Sequence, residues 1–128
     1  MENLNERNYV NLAEKVMNEL KRNGKNGNLN LTTSQIRNLL AITSDIYNDV
    51  INHEGTKLSD SIISRINYLK VRCLYEAGRD KKVEQFVKQS ELKQHIENIG
   101  DSKEKFILYC RYMEALVAYH RYLGGRNE

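Results

Sequence analysis

Arginine, lysine and tyrosine alternate from Tyr68 to Lys82, in the run YLKVRCLYEAGRDKK. The chemistry they suit is binding: guanidinium groups fork onto phosphate oxygens, and phenol rings offer flat surfaces to ribose or bases. At 100° per residue, Ile62, Ile66, Leu69, Cys73 and Ala77 share one arc of a helix. Arg65 and Arg72 lie just outside one edge of that arc, with Tyr68 and Tyr75 beside them, and Lys70 lies toward the opposite edge. Arg79, Lys81 and Lys82 follow around the Gly78 turn. The same stripe also reads as an ordinary solvated face whose long stems cover apolar surface.

Reactive constellations are missing from the sequence. His53, His95 and His120 are scattered, as are Cys73 and Cys110, and no short-spaced pair could seed a zinc site. There is no glycine-rich phosphate loop, no serine nucleophile in a recognisable context and no pair of carboxylates on one face. An arginine followed four to six residues later by a histidine, on which several small helical ribonucleases depend, is also absent. The expectation is a protein that is not an enzyme, with no cofactor and no metal. The two cysteines read as buried structural thiols.

Charge favours a polyanionic partner only locally. The 128-residue chain has a net charge of +3. Residues 57–88 carry eight basic and four acidic side chains, whereas the flanking segments are close to balance. Composition is that of an ordinary globular domain, with 40% hydrophobic and 29% charged residues. The polar start MENLNERNYV reads as no signal peptide, and no apolar run reaches membrane-span length. A cytoplasmic location follows as the expectation.

The elements that must position these residues are all helical. No proline occurs, and glycines fall at a few punctuation points. The first helix is expected from about Asn5 to Arg22, followed by a flexible connector, Gly24 to Asn30. A second starts at Thr32, where Thr32 and Gln35 fit a capping box, and stops near Gly55. A third runs from about Ser59 to Ala77 and stops at Gly78; Asp80 then caps a short fourth. A turn or two spans Glu91 to Ile99, and a last helix starts at a box formed by Asp101 and Glu104. The fold expected is all-α: a compact single-domain bundle of about five to six helices, with the C-terminal helix central.

That last stretch, Phe106 to Gly125, is apolar on nearly every side yet contains Arg111, Glu114, His120 and Arg121. Glu114 projects beside Ile107, Cys110, Val117 and Arg121, which points it into the bundle. A buried carboxylate needs a partner, and the candidates are Lys70, Arg37 and Arg121. Glu114 is therefore read as one half of a structural ion pair. Arg37 has two readings, as a cap or bundle salt bridge and as an RNA contact. Arg79 also has two, as a lock on the last carbonyls of the third helix and as an RNA contact.

Three segments, LTTSQIRNLL (Leu31 to Leu40), YLKVRCLYEAGR (Tyr68 to Arg79) and YCRYMEALVAYHRYLGG (Tyr109 to Gly125), resemble in order the hallmark segments of the Csm small-subunit family of type III-A CRISPR effector complexes. The resemblance covers roughly Leu29 to Arg126. It divides the single domain 1–128 into a variable N-terminal helix and connector, 1–30, and a family-like bundle, 31–126. It implies a non-catalytic subunit that stacks in several copies along the guide RNA and its paired target RNA. Its neighbours would be the repeated backbone subunit, the large subunit and the end-capping subunits, with self-association between copies and no membrane. In such complexes cleavage and cyclic oligoadenylate synthesis are attributed to other subunits. The residues expected to contact RNA are Arg37, Arg65, Lys70, Arg72, Arg79, Lys81, Lys82 and Arg121. A helical adaptor with a basic face for an acidic protein partner is the alternative.

Overall fold

A computed structural model describes residues 1–125 and is built of helices α1 (Tyr9–Asn23), α2 (Thr33–Ile51), α3 (Asp60–Arg79), α4 (Lys81–Ser90), α5 (Leu92–Glu97) and α6 (Lys103–Tyr122). The all-α single-domain reading holds for these residues, where extended pairing is limited to one isolated bridge between Lys57 and Ser102. The end of the proposed domain, from Arg126 on, lies outside the described residues.

Helix starts follow side-chain chemistry. The Thr32 hydroxyl accepts from the Gln35 backbone N–H at 3.2 Å, and the Gln35 side chain accepts from the Thr32 N–H at 3.0 Å, which completes the expected capping box. Ser59 caps α3 and the Asp80 carboxylate caps α4. Several boundaries differ from expectation: α1 begins at Tyr9, four residues after Asn5, and α2 ends at Ile51, four residues before Gly55. Helix α3 runs through Gly78 to Arg79, because nothing there requires the left-handed backbone that ends a helix at glycine. The cap of α6 is Ser102, whose hydroxyl accepts from Lys105 N–H at 3.1 Å, one residue after the expected Asp101.

Helix α6 is the spine, packed against α1, α2 and α5. Phe106, Tyr109, Tyr112, Met113 and Leu116 are fully buried on it. Helix α3 joins α2 to the α4–α5 pair. Burial of these rings and aliphatic chains is the main stabilising term, at roughly 25 cal/mol per Å² of apolar surface.

The connector after α1 is pinned. Leu29 and Leu31 are buried, and the buried His120 donates from Nε2 to the Leu31 carbonyl at 2.6 Å. Gly125 lies against the same imidazole, where an added Cβ would sit 2.1 Å from the ring, so only glycine fits. His120 and Gly125 of the C-terminal segment therefore hold the entry to α2.

Glu114 corrects the expectation made for it. It is exposed and lies on a solvent-facing stripe of α6 with Arg111, Ala118 and Arg121. Helix α6 is thus central on one face and open on the other. No buried carboxylate calls for a partner, and of its expected partners Lys70 is bonded to Glu97 at 3.3 Å and Arg37 is exposed.

Candidate nucleic-acid interface

Three contacts bring five helix termini to one end of the bundle. The Gln35 side chain donates to Asp80 Oδ2 at 3.0 Å, joining the start of α2 to the α3–α4 junction. His120 ties the end of α6 to the start of α2. The Lys21 ammonium donates to the Leu123 carbonyl at 3.0 Å, joining the ends of α1 and α6. Arg37, Arg79, Lys81, Lys82 and Arg121 all stand within about two turns of these termini. So do Lys21, Arg22 and Lys25, which the sequence reading passed over. Glu19, Glu76, Asp80, Glu84 and Glu91 are acids at the same end.

The opposite end holds the start of α1, the end of α2 and the starts of α3 and α6, joined by Leu58 N–H donating to Asp101 O at 2.7 Å. Exposed carboxylates gather there, among them Glu6, Asp45, Glu54, Asp60, Asp101 and Glu104, and they outnumber the exposed cations Arg7, Lys57 and Lys105. The bundle is therefore charged along its axis, basic at one end and acidic at the other.

The basic residues of α3 divide by height. Arg65 stands toward the acidic end, where it is ion-paired with Asp49 and donates to the Asp45 carbonyl at 3.2 Å, bracing α2 against α3. Lys70 stands midway, held by Glu97 of α5. Hydrogen bonds from Lys93 and Lys70 hold the Glu97 carboxyl below the ordinary range. Arg72 and Arg79 share one carboxylate, Glu76, at 3.8 and 3.3 Å, which leaves one positive charge in excess. Arg79 also lies over the Tyr75 ring, 5.5 Å from its centroid. Beside it a notch is lined by Ser34, Gln35, Asn38, Val83 and Arg79 together with the Glu76 and Asp80 carboxylates, so its hydroxyl and amide groups suit a sugar better than a phosphate.

Helix dipoles account for part of this clustering. Lys21 and Arg22 end α1, Arg79 ends α3 and Arg121 ends α6, and each is stabilised near the partial negative charge of a C-terminus. Lys81 and Lys82 are not explained in that way. They are the first two residues of α4, where the dipole opposes a cation and an acid is preferred.

Both cysteines and His95 are buried, and His53 is half-buried. Burial pushes the Cys73 and Cys110 thiols up to about 12, with help from nearby Glu76 and Glu114 respectively, so both are poor nucleophiles. His95 packs edge-on against Tyr112 with ring centroids 5.1 Å apart. Burial holds its imidazole below the ordinary value. Among the described residues no helix is long and apolar enough to cross a membrane.

Comparison with known proteins places the chain. The family model for Csm2 Type III-A matches residues 4–126, so the match includes the N-terminal helix that the segment resemblance had left out. The CRISPR system Cms protein Csm2 of Mycobacterium tuberculosis is 37% identical over 120 residues, covering 94% of each chain. Its counterpart from Streptococcus thermophilus is 37% identical over 124 residues, covering 97% of this chain and 98% of the relative. That of Enterococcus italicus is 35% identical over 122 residues, covering 88% and 87%. The chain belongs to the Csm2 family of type III-A CRISPR systems.

Proposed function

We propose that this chain is the non-catalytic small subunit of a cytoplasmic type III-A CRISPR interference complex. Several copies stack along the duplex of guide RNA and target RNA, beside the repeated backbone subunit, the large subunit and the end-capping subunits. Each contacts the RNA backbone without reading sequence, because recognition is delegated to guide–target pairing. The observation that carries the RNA part is the basic end, above all Lys81 and Lys82, placed against the dipole of α4. The Asp80 cap and Glu84 offset part of that cost, and a phosphate ligand would make use of the rest. The contacts of one copy are few, and they sum along the duplex through multivalency.

A second reading, a helical adaptor for an acidic protein, is favoured by a separate observation: Tyr68, Val71, Leu74 and Tyr75 stand exposed on α3. Fluorescence anisotropy of the isolated protein with two RNAs of unrelated sequence separates the readings. Weak binding of equal strength to both, falling steeply from 50 to 200 mM salt, is expected for RNA-backbone contact. Absence of RNA binding even at the low-salt end favours the adaptor.

A further inference from the structure

Glu91 ends α4 and opens α5 in the left-handed region of backbone space, at φ 58° and ψ 36°. That region costs a residue with a Cβ stability and is free to glycine. Elsewhere among the described residues positive φ falls on Gly27, Gly55, Gly100 and Gly124, or on Asn26, a residue type that enters the region readily. A glutamate kept there at a cost points to a use for its side chain. The fold does not supply one. The Glu91 carboxylate makes no hydrogen bond or ion pair among the described residues, and it does not cap α5. Within the chain it acts only through space, on the buried His95 and Tyr112.

Glu91 lines a groove of about 570 Å³ together with Asn23 from α1, Gln85, Lys88 and Gln89 from α4 and Gln94 from α5. That volume is in the range of small-ligand sites. Four carboxamides from three helices thus share a groove with one carboxylate, and none of the four is hydrogen-bonded within the described chain. A carboxamide donates and accepts, so it meets sugar hydroxyls, phosphate oxygens or any base edge without selecting a sequence. A carboxylate only accepts, so the ligand must bring it a donor. A bare phosphate brings none. A cationic protein side chain does, but Lys21 and Lys25 at the same end have no acidic partner among the described residues and repel it. Lys88, in the groove itself, is held only at 3.9 Å by Glu84. A ribose hydroxyl is a neutral donor, and it arrives joined to a phosphate that these lysines attract.

We propose that this groove binds one ribonucleotide of an RNA strand, with the Glu91 carboxylate accepting a hydrogen bond from the ribose 2′-hydroxyl. Lys88 meets the adjoining phosphate, and the carboxamides of Gln89 and Gln94 meet the rest of the nucleotide. The 2′-hydroxyl is the group that DNA lacks, so the groove makes the subunit prefer RNA to DNA without reading sequence. This rests on the RNA-backbone reading above and names the chemical group that one of its contacts recognises.

Fluorescence anisotropy of the full chain with an RNA and a DNA strand of the same sequence, free of uracil and thymine, tests it. Wild type should bind the RNA roughly tenfold more tightly, the worth of one hydrogen bond to a charged group. Glu91→Gly should bind the two strands alike while keeping or raising the melting temperature, because glycine takes left-handed backbone freely. Gln89→Ala, at an exposed position, should weaken both strands by the same factor. Wild type that binds RNA and DNA equally would overturn the proposal and leave the RNA reading standing, whereas wild type that binds neither would overturn both. A Glu91→Gly variant that keeps the RNA preference would remove Glu91 from the contact. One that melts lower than wild type would also overturn the proposal, since Glu91 would then be serving the fold.

Discussion

Glu114 and His95 show how far a single residue can be read from its neighbours in sequence. Glu114 sits among apolar letters, and hydrophobicity alone buries it; the structure leaves it in water because Ala118 and Arg111 share its face and α6 meets other helices only on the far side. Small and half-apolar residues tolerate either environment, so a helix rich in them overstates its own burial. His95 gave no signal in sequence, yet it is buried against Tyr112. Burial outweighs the opposing pull of Glu91, so its folded value lies below the ordinary 6.5. A depressed histidine binds its proton more weakly when folded, so its contribution is complete above 6.5 and is lost as pH falls below it. The melting temperature should hold above pH 7 and decline from about pH 6.5 downward. His95→Phe should flatten that decline in a thermal-shift series from pH 5 to 8. Glu97, the other shifted acid, acts only below its ordinary 4.5 and does not interfere.

Helix caps were legible at the scale of elements because they are local, whereas the stop expected at Gly78 lies inside α3. Thr32 with Gln35, and Asp80, could be assigned from short spacings, since a cap is made by residues two or three apart. The connector could not. Its glycines and asparagines read as loose chain, and the pin that holds it is a histidine 89 positions away in sequence. Leu29 and Leu31 were the available hint: two leucines in a polar loop are there to be buried. His120→Ala should therefore destabilise more than Thr32→Ala, although the latter removes a well-formed cap. Loss of the cap costs about 1 kcal/mol. Loss of the imidazole leaves a buried carbonyl unpaired and a cavity behind it, on the order of 2–4 kcal/mol. Urea midpoints at unchanged slope measure both. Equal midpoints would mean that α2 is positioned by its own cap and not by the C-terminal segment.

For the molecule as a whole, the decisive property is the separation of charge along the bundle. Sequence showed a basic excess in residues 57–88 but assigned it to one helix face. Folding takes Arg65 out of that group and adds Lys21, Arg22 and Lys25 from the first helix. No one-dimensional pattern links Lys25 to Lys81; only the juxtaposition of termini does. An axis with a basic and an acidic end orients the subunit on a polyanion, drawing one end in and turning the other away. The measurement that tests this most directly is the salt dependence of RNA affinity for two double variants with the same change in net charge. Arg37→Glu with Lys81→Glu reverses the basic end, and Lys57→Glu with Lys105→Glu reverses cations at the acidic end; all four residues are exposed. The first pair should weaken binding at least tenfold and lower the slope of log affinity against log salt by roughly one to two. The second should leave the slope at its wild-type value. Equal losses from both pairs would contradict the account, since RNA would then be sensing net charge and not one end of the bundle.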